Sequence, residues 1–336
     1  MAQQPAAPPL AACGVHGDIE VLCGTTQPED LELTPDGKYL IATQFLNQGR
    51  KGTPGAGMAL FDLAKKTFSK MTVVNEPDKA WGDPSCPGQI GDALVSHGES
   101  LAKLKSGAWA LYVVNHGGRE SIEMFELKSA SATWTLVWRG CEVGAHDYND
   151  VAILPNGGFV GTFPTGLSVG GTRAPAGTPS GYVTRWTPGK GESEIEGTRM
   201  QYPNGVVASA DGRYIYINEF QARQVLKYDL NAGKTVATVK VDFLPDNLTW
   251  EKDGKLLVAG VKGARGDCPE GSGRPCIQGF GVAEIDPAKM EARTIFDSAT
   301  TAEPLIGGVS VALRVGDSIY LGAFQGDRLV KIPYPH

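Results

Sequence analysis

The 336-residue chain has no excess of basic residues. Its 31 Lys and Arg stand against 37 Asp and Glu, a formal net charge of -6, and no basic block interrupts the sequence. Polyanion-binding proteins gather Lys and Arg on one face or in one run, so nucleic acid is not expected as a partner. No run of about 18 apolar residues occurs, so no transmembrane segment is expected. There is no Cys-x-x-Cys unit to suggest a zinc or redox site. The Gly-rich stretch Gly52-Thr53-Pro54-Gly55-Ala56-Gly57 lacks a following Gly-Lys-Ser/Thr, so it is not a P-loop. Gly166-Leu167-Ser168-Val169-Gly170 spells a nucleophile elbow, but no helical pattern follows it, and it reads as a chance match.

What the chain has in quantity is glycine. Its 44 copies are roughly twice the average share, and 22 prolines accompany them. Many tight turns and few long helices follow, and the composition leans all-β. The start, Met1-Ala2-Gln3-Gln4-Pro5, has neither the basic opening nor the apolar middle of a signal peptide. It is expected to be a flexible segment, residues 1–17, of an exported protein, periplasmic or secreted, whose signal has been removed. One domain is expected over 18–336. Six cysteines allow a disulfide framework in such a compartment, or a set of buried thiols. Cys268 and Cys276 bound a short Gly/Pro loop, Cys13 and Cys23 flank another short stretch, and Cys86 and Cys141 remain. This is one pairing among 15.

A repeat carries the fold. Pro28-Glu29-Asp30-Leu31 leads through Pro35-Asp36-Gly37 to Tyr39-Leu40-Ile41. Asn149-Asp150-Val151 leads through Pro155-Asn156-Gly157 to Phe159-Val160. Pro203-Asn204-Gly205 leads through Asp211-Gly212 to Tyr214-Ile215, and Pro245-Asp246-Asn247 through Asp253-Gly254 to Leu256-Leu257. Weaker copies begin at Ser96 and Gly308. Asp-Gly and Asn-Gly supply the positive φ of tight hairpin turns, and the alternating flanks present one face to a core. Copies roughly 40 to 70 residues apart match one four-stranded blade plus loops. The expectation is an all-β, six-bladed β-propeller with four-stranded blades around a central channel. A pair of sandwiches would not explain the polar position that recurs at each inner strand.

Those positions converge on the axis of a propeller. Glu29, Asn149, Asn204, Asp246 and Asn247 each begin an inner strand. Carboxylate and amide oxygens ringed around one point repel without a cation. A set of hard oxygens without His or Cys suits Ca²⁺ better than Mg²⁺ or zinc. Asn and Asp also cap turns at strand ends, which is the plainer account of any single position.

Glu29-Asp30, Val113-Val114-Asn115-His116, Asn149-Asp150-Val151, Asn204-Gly205 with Asp211-Gly212-Arg213-Tyr214, and Asp246-Asn247 resemble the motifs of the paraoxonases. More widely they resemble the senescence-marker-protein-30, gluconolactonase and luciferin-regenerating-enzyme superfamily, from about residue 27 to the end. The resemblance implies hydrolysis of lactones and esters with two Ca²⁺ ions. It implies an upper, catalytic ion held by Glu29, Asn149, Asn204, Asp246 and Asn247. It implies a deeper, structural ion held by Asp30, Asp150 and the main-chain carbonyl of Glu99. His97 and His116 match the family's histidine pair, and Tyr202 matches an aromatic of its pocket. Paraoxonases join their two ends by a disulfide, whereas no cysteine lies near this C-terminus. Segments 44–57, 76–92, 164–181 and 262–279 are rich in Gly and Pro, depart from the family pattern, and read as loops over the channel mouth.

The mechanism expected is polarisation of a carbonyl by the metal, with His97 as general base and His116 orienting it. Asp246 or Glu29 are alternatives as base or nucleophile, His146 is a rival base, and His16 and His336 lie in terminal segments. The expected partner is a small-molecule lactone or aryl ester. Tyr202, Phe163, Phe45 and Phe220 favour an apolar one over a sugar lactone. A non-catalytic, calcium-pinned binding propeller is the competing class, and a strictosidine-synthase-like propeller would lack the oxygen ring.

Overall fold

The computed structural model describes residues 10–46, 55–130, 133–144, 147–167, 174–175, 177–263, 279–301 and 304–335. Hairpin follows hairpin, as the Asp-Gly and Asn-Gly turns dictate, and no α-helix occurs among the described residues. No helix there is long and apolar enough to cross a membrane.

The strands in chain order are β1 (Gly14–His16) and β2 (Ile19–Cys23), then β3 (Leu31–Leu33), β4 (Tyr39–Thr43), β5 (Met58–Asp62) and β6 (Thr67–Lys70). Next come β7 (Thr72–Asn75), β8 (Ser96–Lys103), β9 (Trp109–Asn115), β10 (Ser121–Ala130) and β11 (Thr133–Glu142). They are followed by β12 (Val151–Ile153), β13 (Phe159–Phe163), β14 (Tyr182–Thr187) and β15 (Gly191–Glu194). A fourth group holds β16 (Pro203–Ala208), β17 (Tyr214–Glu219), β18 (Gln224–Asp229) and β19 (Lys234–Lys240). A fifth holds β20 (Leu244–Trp250), β21 (Leu256–Val261), β22 (Phe280–Asp286) and β23 (Glu291–Asp297). The chain ends with β24 (Val309–Val315), β25 (Ser318–Ala323) and β26 (Arg328–Pro333).

These strands form six antiparallel sheets, the six blades of the expected β-propeller. Each inner strand, β3, β8, β12, β16, β20 or β24, begins at a copy of the sequence repeat. Two sheets carry a fifth strand. The segment β7 adds in parallel to the outer strand β11, and β1 adds to β2 in the closing blade. That blade joins the two ends of the chain: β2 pairs antiparallel with β26, Val21 opposite Val330. The closure is thus made by a ladder, reinforced by Arg328 donating to the Ala11 carbonyl (2.6 Å).

The apolar faces meet between neighbouring blades. Leu111, Val113 and Phe125 pack against Ile41 and Leu60 at one boundary, and Val206, Ile215 and Ile217 against Val160 and Val183 at another. The alternating pattern read in the sequence is the interleaving of these layers. Cys13–Cys23 and Cys86–Cys141 are disulfides. Cys268 and Cys276 lie outside the described residues, as do His146, His336, Gly52–Pro54 and Ser168–Gly170.

Two expectations change. The end of segment 1–17, expected to be flexible, is tied into the closing blade: Gly14–His16 pair with β2, Cys13 is bonded to Cys23, and Ala11 N–H donates to the Pro304 carbonyl (2.8 Å), because a sheet edge and a disulfide hold what composition alone leaves free. The first half of segment 76–92 does not overhang the channel but is strapped along β11. The backbone N–H groups of Glu76 and Asp78 donate to the Trp138 and Arg139 carbonyls (3.2 and 2.9 Å), and Trp81 packs edge-on against Tyr112. The Gly- and Pro-rich composition fits the irregular backbone, but the free part of an outer edge offers hydrogen bonds that composition does not reveal.

Candidate functional site

Four inner strands carry a register shift at their first residues: Ser96/Glu99, Pro203/Val206, Pro245/Leu248 and Val309/Val311. Such bulges re-aim side chains. They explain how polar residues at a strand start can turn to the hub. In the other two blades a threonine hydroxyl takes the place of a ladder carbonyl. Asp30 N–H donates to Thr43 Oγ1 (2.8 Å) and Asp150 N–H to Thr162 Oγ1 (3.0 Å). This is why the two Asp doublets behave alike.

Glu29, Asn149, Asn204, Asp246 and Asn247 are all buried. Asn247 Nδ2 donates to Glu29 Oε1 at 2.8 Å, joining strands 218 residues apart in sequence. Asn204 hydrogen-bonds the Asp246 carboxylate, and the Asn149 carbonyl accepts from Gly98 N–H (3.2 Å). Asn218 Nδ2 and Ser310 Oγ fix the Asp246 and Glu29 carbonyls (2.6 and 2.5 Å).

The donors run out before the acceptors do. Glu29 Oε2, Asn149 Oδ1, Asn204 Oδ1 and Asn247 Oδ1 are buried without a hydrogen-bond partner. A proton can quench a carboxylate, but an amide oxygen needs a donor or a cation. Burial pushes Glu29 well above the usual carboxylate range, and the nearby Asp246, Asp30 and Asp150 charges push it further. Burial lifts Asp246 to about 8 against the hydrogen bond from Asn204. The donor set therefore fits a hard cation.

Asp30 and Asp150 lie beside this group and are differently employed. Asp30 accepts from Leu31 and Glu99 N–H (both 2.9 Å), and Asp150 from Val151 and Val206 N–H (2.7 and 2.6 Å). Each carboxylate thus clips its own blade to the next. Burial raises Asp30 to about 7 and lifts Asp150 well above its ordinary value.

His97 Nδ1 lies 2.9 Å from His116 Nε2, and His97 Nε2 lies 3.9 Å from Glu29 Oε1. Phe45 stacks flat on His97, ring centres 3.8 Å apart and planes 2° from parallel. His116 is aimed by the turn after β9. There, Asn115 accepts from Val95 and Gly117 N–H and donates to the Gly117 and Arg119 carbonyls. On its far side, His116 Nδ1 meets Glu120 Oε2 at 2.6 Å and Asp147 Oδ1 at 3.3 Å.

Two acceptors at His116 Nδ1 place the proton there. His116 Nε2 then accepts from His97 Nδ1–H, and His97 Nε2 keeps its lone pair facing Glu29. Burial first, and the neighbouring His116 second, hold His97 well below the ordinary imidazole range.

Tyr202 adopts φ 63°, uncommon for an aromatic residue, and packs on Phe220 with ring centres 5.5 Å apart. Leu244, Val261 and Phe324 complete that apolar patch. Sequence reasoning missed Glu120, Asp147, Glu32 and the side chain of Glu99. His116, Glu120 and Asp147 bring one ligand atom each within 4.8 Å of one another, a possible metal-holding group apart from the expected ring. Glu32 accepts from Leu101 N–H (2.9 Å) and is raised by burial to about 8. Strand periodicity held that signal, since Glu32 is two residues beyond Asp30 on one strand face.

Known proteins share the sequence pattern and the fold. A family model described as the SMP-30/gluconolactonase/LRE-like region matches residues 56–274. The mouse serum paraoxonase/arylesterase 1 is 25% identical over 249 residues, covering 71% of this chain and 66% of the mouse protein, just under two thirds of its length. The human serum paraoxonase/arylesterase 1 is 26% identical over 257 residues, 73% of this chain and 67% of the human protein. The solved luciferin-regenerating enzyme superposes with a TM-score of 0.53 at 13% identity, covering 93% of this chain and 94% of its own, a likeness of fold. The chain belongs to the SMP-30/gluconolactonase/LRE-like family.

Proposed function

We propose that the protein is a calcium-dependent hydrolase of lactones or aryl esters, exported from the cytosol. The family and the paraoxonase relatives support hydrolase chemistry of the lactonase kind. The observation that carries the calcium reading is the set of buried, unpartnered oxygens on Glu29, Asn149, Asn204 and Asn247. With Asp246 they would hold the upper Ca²⁺, and Asp30, Asp150 and the Glu99 carbonyl would hold a lower one. Bound there, calcium supplies Lewis-acid polarisation of the ester carbonyl and stabilises negative charge on its oxygen.

The chain supplies the proton path. His97 Nε2, neutral at physiological pH, takes a proton from water as the water oxygen bonds to the carbonyl carbon. His116 accepts the hydrogen bond of the charged ring, and Glu120 and Asp147 offset its positive charge. When the carbonyl–oxygen single bond breaks, His97 returns that proton to the departing alkoxide. The Asn149 and Asn204 side chains orient the reacting group. The apolar surface of Tyr202, Phe220 and Phe324 favours a substrate with a hydrophobic ring or chain over a polyhydroxylated sugar lactone. Two disulfides suit an oxidising compartment.

The test is hydrolysis of an aliphatic lactone, a sugar lactone and phenyl acetate, each with calcium and with a chelator. The aliphatic lactone should be turned over and the chelator should stop it. Chelator-insensitive turnover would remove the metal, and preference for the sugar lactone would replace the apolar substrate. Calcium binding without turnover of any of the three would leave a binding propeller. Asp246→Asn should lose both calcium and activity.

A further inference from the structure

Glu99 is an awkwardly placed carboxylate. It sits on β8, 5% exposed, at the bulge that follows His97. Its main-chain N–H is spoken for by Asp30 Oδ2 (2.9 Å). Both side-chain oxygens are buried and have no hydrogen-bond partner. Every other carboxylate of the hub accepts at least one hydrogen bond: Glu29 from Asn247, Asp30 and Asp150 from two backbone N–H groups each, Glu32 from Leu101, and Asp246 from Asn204.

The surroundings of Glu99 are acidic on several sides. Asp30, Glu32, Asp150 and Glu29 all press on it. Its neighbour Gly98 touches Asp150 so closely that a Cβ would lie 2.4 Å from Asp150 Oδ1. Glu99 is thus wedged between the two carboxylates of the lower position. An apolar residue would fill this place at no electrostatic cost. Burying a carboxylate with neither donor nor counter-charge costs several kcal/mol.

We propose that the Glu99 carboxylate is itself a ligand of the lower cation, so that this position has three acidic side chains rather than two and a carbonyl. This rests on the two-calcium reading and deepens it. Each added anionic ligand tightens a calcium site. Glu99 is then what gives the lower position its hold on the ion, with Glu32 a further acidic neighbour outside the ligand set.

Calcium titration of chelator-stripped protein by calorimetry, with thermal unfolding in parallel, tests the assignment. Wild type should show two sites. Glu99→Gln keeps shape and removes charge. It should weaken one site by roughly tenfold or more and leave the other unchanged. It should also raise the Tm of the metal-free protein while lowering that of the loaded one, an opposition that loss of packing alone does not produce. Two sites with wild-type affinities in Glu99→Gln would overturn the assignment while leaving the calcium reading intact. Absence of calcium binding in wild type would overturn both.

A measurement on the unaltered protein stands beside these. In crystals soaked with Tb³⁺, an anomalous peak should fall within about 2.3–2.6 Å of a Glu99 side-chain oxygen. A peak between Asp30 and Asp150 with the Glu99 carboxylate turned away would overturn the assignment even if the variant failed to fold.

Discussion

His97 Nδ1 and His116 Nε2 are 2.9 Å apart, and the second histidine is itself held at 2.6 Å by Glu120. A hydrogen-bonded row therefore runs from Glu120 to the ring nitrogen of His97 that faces Glu29. If that nitrogen is the base, His97→Gln should lower kcat by about 10² to 10⁴ with little change in KM. Glu120→Gln should lower kcat less, by roughly tenfold, and move the acidic limb of the pH–rate profile to lower pH, because the charged pair loses its counter-charge. A Glu120→Gln enzyme with a smaller active fraction but an unmoved profile would mark Glu120 as structural only.

The pH profile of the unaltered enzyme follows from the same geometry. Burial holds His97 well below the usual imidazole value of 6.5, with His116 adding to the effect. The ring stays neutral, and competent as a base, into mildly acidic solution. Activity should fall only as pH drops through a point below 6.5, measured as kcat/KM on calcium-saturated enzyme. A midpoint at or above 7 would point to a different base.

The ring of blades and its axial residues were legible because both are repeated. Turn chemistry at Asp36-Gly37, Asn156-Gly157, Asp211-Gly212 and Asp253-Gly254 recurs with one or two Asn, Asp or Glu residues ahead of it, and repetition outweighs the ambiguity of any one copy. The contacts that were not legible are made once. Nothing repeats the approach of Glu120 and Asp147 to His116, or of Phe45 to the face of His97. The pairing of Val21 with Val330 joins opposite ends of the chain, and no local pattern announces it. Glu32 and Glu99 are a different case. Glu32 lies two residues beyond Asp30, where strand alternation points to the hub, whereas the bulge between Ser96 and Glu99 breaks the alternation that would have placed the Glu99 side chain.

The buried carboxylates also set how stability responds to pH. Asp30 and Asp246 are raised from 3.8 to about 7 and about 8, and Glu32 from 4.5 to about 8, mainly by burial. Below about 4 these groups are protonated whether the chain is folded or not. Between the ordinary and the raised values only the unfolded chain ionises freely, so the native state loses ground as pH rises. The metal-free protein should therefore lose Tm steadily from about pH 4.5 to about pH 8 and then level off. Calcium pairs with the ionised forms, so its stabilising shift should be larger at pH 8 than at pH 5. Thermal unfolding with chelator and with calcium across this range checks both statements, and an equal calcium shift at the two pH values would contradict them.

A glycine offers the cleanest separation of site geometry from general stability. At Gly205 a Cβ would meet the Asp246 carbonyl at 2.4 Å and Asn247 Cα at 2.7 Å, both parts of the neighbouring bulge. Backbone cannot swing aside as a flexible side chain does, so Gly205→Ala must push β20 away from β16. Asn204 and Asp246 face each other across that boundary, so the strain falls on the oxygen set itself. Overpacking of this kind costs about 1–3 kcal/mol. Gly254 is the control: its φ of 84° makes Gly254→Ala strained, by about 1–2 kcal/mol, yet nothing lies within 4 Å of the added carbon. Both variants should unfold at lower temperature than wild type. Only Gly205→Ala should also bind calcium more weakly, by tenfold or more at the upper position, when titrated well below its Tm. Equal loss of calcium affinity in the two variants would mean that affinity follows overall stability, and unaltered affinity in Gly205→Ala would mean that the ion is not held between these two blades.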